Sequence, residues 1–134
     1  MKVNNKGFTL VELMVSVAIL GALGAIAYPG YTAYVKTAER SDAIVALQTI
    51  ALRLEEYYLN NNGYTGATVN TLFGSTISEK QYYDLAISDE DNFSYLLTAT
   101  PRSPHTDSEC GNLTLDSIGT KGSSSGVAAD CWKK

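Results

Sequence analysis

Between Lys6 and Lys36 the chain carries one charged side chain, Glu12. The stretch F-T-L-V-E-L-M-V-S-V-A-I-L-G-A-L-G-A-I-A-Y that begins at Phe8 is, as a helix, long enough to cross a hydrocarbon layer of about 30 Å. A helix apolar on every side must be covered by lipid or by other helices, so this segment cannot be the surface helix of an aqueous domain. Lys2 and Lys6 precede it, which favours an amino end in the cytoplasm. Glu12 then needs an explanation, because a carboxylate at membrane depth costs about 2.5–3.5 kcal/mol on insertion scales. A cleaved secretory signal would have a shorter apolar core followed by a small-residue cleavage site. A plain membrane anchor accounts for the length and leaves the acid unexplained. A third reading gives the acid a cation to neutralise.

That third reading rests on residues 6–13, K-G-F-T-L-V-E-L. The octapeptide resembles the processing motif of the type IV pilins and related pseudopilins. The resemblance implies that a prepilin peptidase cuts after Gly7, releasing residues 1–7 as a leader, and methylates the new amino terminus on Phe8. It also implies that Glu12 meets the Phe8 amine of a neighbouring subunit during filament assembly. The physical need is independent of the family: cleavage creates a cationic amine in an apolar setting, and each buried charge is tolerable only with a partner. Other implied partners are further pilin subunits, the pilus assembly platform and the inner membrane before assembly. The implied location is the inner membrane for the precursor, then an extracellular pilus of a Gram-negative bacterium.

Pro29, in A-Y-P-G-Y, removes a backbone hydrogen bond and bends a helix at a cost of about 3 kcal/mol. It either ends the membrane span or sits in a helix that continues through a kink. The family pattern favours the second, with residues 21–29 able to lose helicity in a filament. Residues 8–34 are thus expected as the membrane or filament-core helix and residues 35–62 as an amphipathic continuation. In the latter, Ile44, Leu47, Ala51, Leu54 and Tyr58 recur at three-and-four spacing, with Glu39, Arg40, Asp42, Gln48 and Arg53 on the remaining surface. Gly63 is expected to supply a left-handed cap.

Residues 63–134 read as a globular head. A loop rich in Gly, Thr, Ser and Asn, with one short helical turn, precedes three strand candidates at 82–87, 93–100 and 110–118. Short turns make them antiparallel, and one sheet face can pack on the Ile44-to-Tyr58 stripe. The two cysteines, Cys110 and Cys131, form an even count in a chain with an export-like start, which points to one disulfide in an oxidising compartment. The segment they enclose has too few apolar residues to hold a shape by burial. C-G-N-L-T-L-D-S-I-G-T-K-G followed by D-C-W-K-K resembles the carboxy-terminal region of PilE-type minor pilins. The fold class expected is therefore α+β, the pilin fold: a long amino-terminal helix on a small antiparallel sheet with a disulfide-bounded loop.

The residues supply no catalytic set, and neither a cofactor nor a metal is expected. His105, flanked by Pro104 and Thr106, reads as an exposed bystander. Asp89, Glu90 and Asp91 have oxygen ligands for calcium but read as an ordinary acidic turn. Lys121, Trp132, Lys133 and Lys134 form a small basic and aromatic surface that DNA would contact weakly, against a net charge of −4. The bland alternative is a solvated tail with Trp132 packed on the disulfide. The function expected is a structural subunit rather than an enzyme: a minor pilin contributing to pilus biogenesis, motility, adhesion or DNA uptake. A type II secretion pseudopilin and a DNA-binding pilin of natural transformation are the alternatives.

Overall fold

The computed structural model describes residues 7–133. In chain order it contains α1 (Leu10–Asn61), α2 (Val69–Phe73), β1 (Tyr83–Ser88), β2 (Leu96–Pro101), β3 (Leu113–Asp116), β4 (Lys121–Ser123) and α3 (Ala128–Cys131). The chain divides into two compact units, Met1–Val35 and Lys36–Lys134.

In the first unit, α1 starts with a capping box. Thr9 Oγ1 accepts from the Glu12 amide at 3.2 Å, while Glu12 Oε2 accepts from the Thr9 amide and hydroxyl, both at 3.0 Å. The reciprocal pair satisfies two amides that a helix start leaves without partners. The apolar side chains from Leu10 to Tyr28 all lie exposed, and the helix is long and apolar enough to cross a membrane. Ser16 donates its hydroxyl to the Glu12 carbonyl at 2.7 Å, so this polar group needs no water. The helix is continuous through Pro29.

The head is a four-stranded antiparallel sheet in the order β1-β2-β3-β4. Register places Leu85 opposite Ala99 and Ala99 opposite Leu113, with Leu97 opposite Leu115 in the neighbouring row. Tyr83, Leu85, Leu97, Ala99, Leu113 and Leu115 are buried while their strand neighbours are polar or more open, the alternation of a one-faced sheet. They share a core with Ala43, Ile44, Leu47, Ile50 and Leu54 of α1. Burying each of the larger aliphatic side chains contributes about 1.5–3 kcal/mol.

Five details depart from the sequence expectations. The stretch 93–100 forms a strand only from Leu96, because Asp91 Oδ1 accepts from the amides of Phe93 and Ser94, both at 2.6 Å, and holds them in a turn. The stretch 110–118 likewise pairs only over Leu113–Asp116, since the amides of Cys110 and Gly111 turn back onto Asp107. The enclosed segment after Gly119 has a fixed course: β4 pairs with β3, and α3 carries Cys131 back to Cys110. The left-handed residue after α1 is Asn62 (φ 57°) rather than Gly63, which is tightly packed beside Asn92. Finally, Arg40 and Asp42 are buried rather than displayed on the polar face.

Candidate functional site

Gly7 and Phe8 precede α1 as exposed residues, with the Thr9–Glu12 capping box directly after them. Glu12 Oε2 thus accepts from the backbone amide one residue beyond Phe8. A new amine on Phe8 would lie next to a carboxylate and at the positive end of the helix dipole, where an anion is favoured and a second cation is not. Residues 1–6, most of the expected leader 1–7, and Lys134 lie outside the described residues. The T-x-x-E spacing from Thr9 to Glu12 is the sequence signature of this capping box.

At the other end, the Cys110–Cys131 disulfide closes the head, with a Cα–Cα separation of 5.7 Å. Trp132 is buried in the same core and donates Nε1–H to the Gly122 carbonyl at 2.9 Å. Lys121 Nζ sits 5.5 Å from the centre of the Trp132 ring, a cation–π distance. Lys121 and Trp132 are therefore brought together, while Lys133 turns to Asp130. Other head cations are also engaged: Lys36 and Arg40 with Glu109, Arg53 with Glu56, and Arg102 with Asp84.

His105 is not the exposed bystander that its loop suggested. Its side chain is 11% exposed, with Nδ1 3.4 Å from Glu39 Oε2 and its ring 5.2 Å from those of both Tyr82 and Tyr83. It packs beside a buried ionic seam, made by Arg40 with Asp107 and Glu109, that ties α1 to the β2–β3 connection. Arg40 binds both oxygens of Asp107 at 2.6 and 2.8 Å and reaches Glu109 Oε2 at 2.6 Å; Tyr83 donates its hydroxyl to Asp107 at 3.3 Å. Burial pulls the Asp107 carboxyl upward, but Arg40 and the Cys110 amide outweigh it and hold the group below the usual carboxylate range. Burial and the neighbouring Asp107 push Tyr83 well above an ordinary phenol. At the far end of the head helix, burial pushes Tyr64 up to about 12, and its hydroxyl donates to Glu55 at 3.0 Å. Of the acidic turn, Asp91 is committed to backbone amides, and Asp89 takes a left-handed conformation (φ 53°).

An apolar helix capped by a lone acid, joined in sequence to an antiparallel head stapled near its carboxy end, defines a pilin-type subunit. A model of the prokaryotic N-terminal methylation motif matches residues 2–28, and one described as type IV minor pilin ComP, DNA uptake sequence receptor, matches residues 29–114. The chain belongs to this type IV minor pilin family. It is similar to the type IV major pilin protein PilE of Neisseria gonorrhoeae, 35% identical over 104 residues that cover 78% of this chain and 60% of that protein. With the type IV major fimbrial protein FimA of Dichelobacter nodosus it shares 37% identity over 87 residues, 64% of this chain and 54% of FimA. The chain thus spans 60% or less of the length of these curated relatives. A crystal structure of the Neisseria meningitidis non-core minor pilin PilV shares the fold, with a TM-score of 0.58 at 22% identity, covering 69% of this chain and 89% of that one.

Proposed function

We propose that this chain is a structural subunit, a minor pilin, of a type IV pilus. It is cut after Gly7, methylated on Phe8, held in the inner membrane by its apolar helix and then extracted into an extracellular filament. Pilins beside it, the prepilin peptidase and the assembly platform are its partners, and its work is assembly rather than catalysis. The observation that carries this reading is Glu12. It is the sole charge in the apolar segment, it stands at the helix start beside the future amine, and removing the leader exposes the cation that it needs. Pro29 serves as the weak point at which the helix bends or melts on packing. Mass spectrometry of sheared filaments tests the proposal: the chain should be present, begin at Phe8 and carry a methyl group. Finding it with residues 1–7 attached in functional filaments would overturn it.

A second reading, DNA capture, is favoured by the description of the matching family and by Lys121, an exposed cation held over the buried Trp132 ring and of the kind that phosphates use. Lys133 and Lys134 would add to that surface. The chain's net charge of −4 works against it, so binding should be weak and steeply salt-dependent. Gel shifts of double-stranded DNA at rising salt, with Lys121→Ala as the comparison, test this reading. Equal retention by both proteins would remove these residues from it.

A further inference from the structure

We propose that Tyr28, Tyr31 and Tyr34 dock into the phospholipid headgroup layer and set the depth at which the unassembled subunit rests. The inference builds on the membrane-anchored reading above. Between the helix start at Leu10 and Ala27 the chain rises about 25 Å, close to the ~30 Å hydrocarbon thickness of a bilayer. Three tyrosines follow at once, 72%, 68% and 73% exposed. Among the described residues none of their rings stacks on another, and none of their hydroxyls makes a hydrogen bond. They sweep about 120° of the helix and about 9 Å of its axis, comparable to a headgroup layer of roughly 5–8 Å per leaflet. A phenol ring gains by leaving water, yet its hydroxyl loses several kcal/mol in hydrocarbon without a partner. The interface is the one layer that serves both ends of the side chain.

Pro29 points to the same depth. Having no N–H, it leaves the Ala25 carbonyl without its helical donor, and an unpaired carbonyl is tolerable where headgroup water reaches it, not in the bilayer centre. The next charge along the chain is Lys36, beyond the tyrosines on the watery side.

The test uses the full-length protein in phosphatidylethanolamine–phosphatidylglycerol vesicles. Tyr31→Trp and Ile19→Trp variants are compared with lipids brominated near the headgroup or near the chain ends, the parent protein with Trp132 alone serving as blank. Trp at position 31 should be quenched at least twofold more by shallow than by deep bromine, and Trp at position 19 the reverse. Failure of the protein to float with vesicles would overturn the anchored reading and the inference with it. Flotation with deep quenching at position 31, or with none at either depth, the pattern of rings turned against a second helix, would overturn the inference alone.

Discussion

Arg40 and Asp107 lie 67 residues apart in sequence and meet through two hydrogen bonds, Nε to Oδ2 at 2.6 Å and Nη2 to Oδ1 at 2.8 Å. Their side chains are 10% and 2% exposed, so neither charge has water to fall back on. Removing one partner strands the other, and breaking a buried pair costs about 3–5 kcal/mol. Asp107→Asn should therefore destabilise the head by about 3 kcal/mol, because Glu109 remains to share the Arg40 charge. Urea unfolding followed by the fluorescence of the buried Trp132 measures it. A loss below about 1 kcal/mol would mean that the seam is ornamental to stability.

The same carboxyl sets a pH dependence. Its folded pKa lies below the unfolded value of about 3.9, so the unfolded chain takes up the proton first. The stability it contributes is present in full above the unfolded pKa and is lost as pH falls through the folded one. Acid unfolding of the wild type should steepen below about pH 4, and Asp107→Asn should flatten that limb while lowering stability at neutral pH. Arg40 is raised chiefly by Asp107 and stays charged throughout, so it adds no slope in this range.

The staple closes a loop with a sequence separation of 21. Loop-closure entropy assigns such a bond about 3 kcal/mol. A Cys110→Ser, Cys131→Ser double variant should lose about that amount, with Trp132 reaching water at lower urea than in the oxidised protein. Equal midpoints with and without the bond would show that β4 and α3 hold the carboxy end unaided.

Gly126 and Gly119 separate two costs of adding a side chain. Both have left-handed backbones, at φ 67° and 85°, but a Cβ on Gly126 would stand 2.5 Å from the Glu109 carbonyl oxygen, whereas one on Gly119 would meet nothing within 4 Å. Gly119→Ala should cost about 1 kcal/mol, the backbone penalty alone. Gly126→Ala should cost about 1–3 kcal/mol and the larger share of the pair, since backbone there must move as well. Thermal unfolding of the two variants side by side gives the comparison.

The long helix, the antiparallel strands and the cysteine pair could be read from local text, because apolar run length, alternation and an even cysteine count are properties of neighbouring residues. What escaped the sequence reading depends on residues far apart. Arg40 and Asp42 look like solvated helix charges until Asp107 and the Lys80 amide, from distant loops, arrive to bind them. His105 looks idle until Glu39 and the paired tyrosines enclose it. The apolar-poor segment after Gly119 gains its shape from partners rather than from its own burial: β3 on one side, and on the other the Trp132 indole, which fastens Gly122. The Thr9–Glu12 box is the exception, a local signal overshadowed by the larger question of what an acid does in an apolar helix.

That question has two answers, which one pair of substitutions separates. As a capping residue, Glu12 is replaceable by Gln, whose side-chain oxygen can still accept from the Thr9 amide. As a counter-ion for the Phe8 amine of a neighbour, it is not, because a neutral amide leaves that cation buried and unpaired. Glu12→Ala removes both roles. Were capping the whole of its function, Glu12→Gln would assemble like the wild type and only the alanine variant would fail. If charge pairing governs, both variants should be cleaved normally after Gly7 yet enter filaments at least tenfold less efficiently, with glutamine no better than alanine. Quantitative immunoblotting of sheared filaments against membrane pools reads the ratio directly. Near-normal incorporation of Glu12→Gln would assign the acid to the helix start and leave the amine to be neutralised elsewhere.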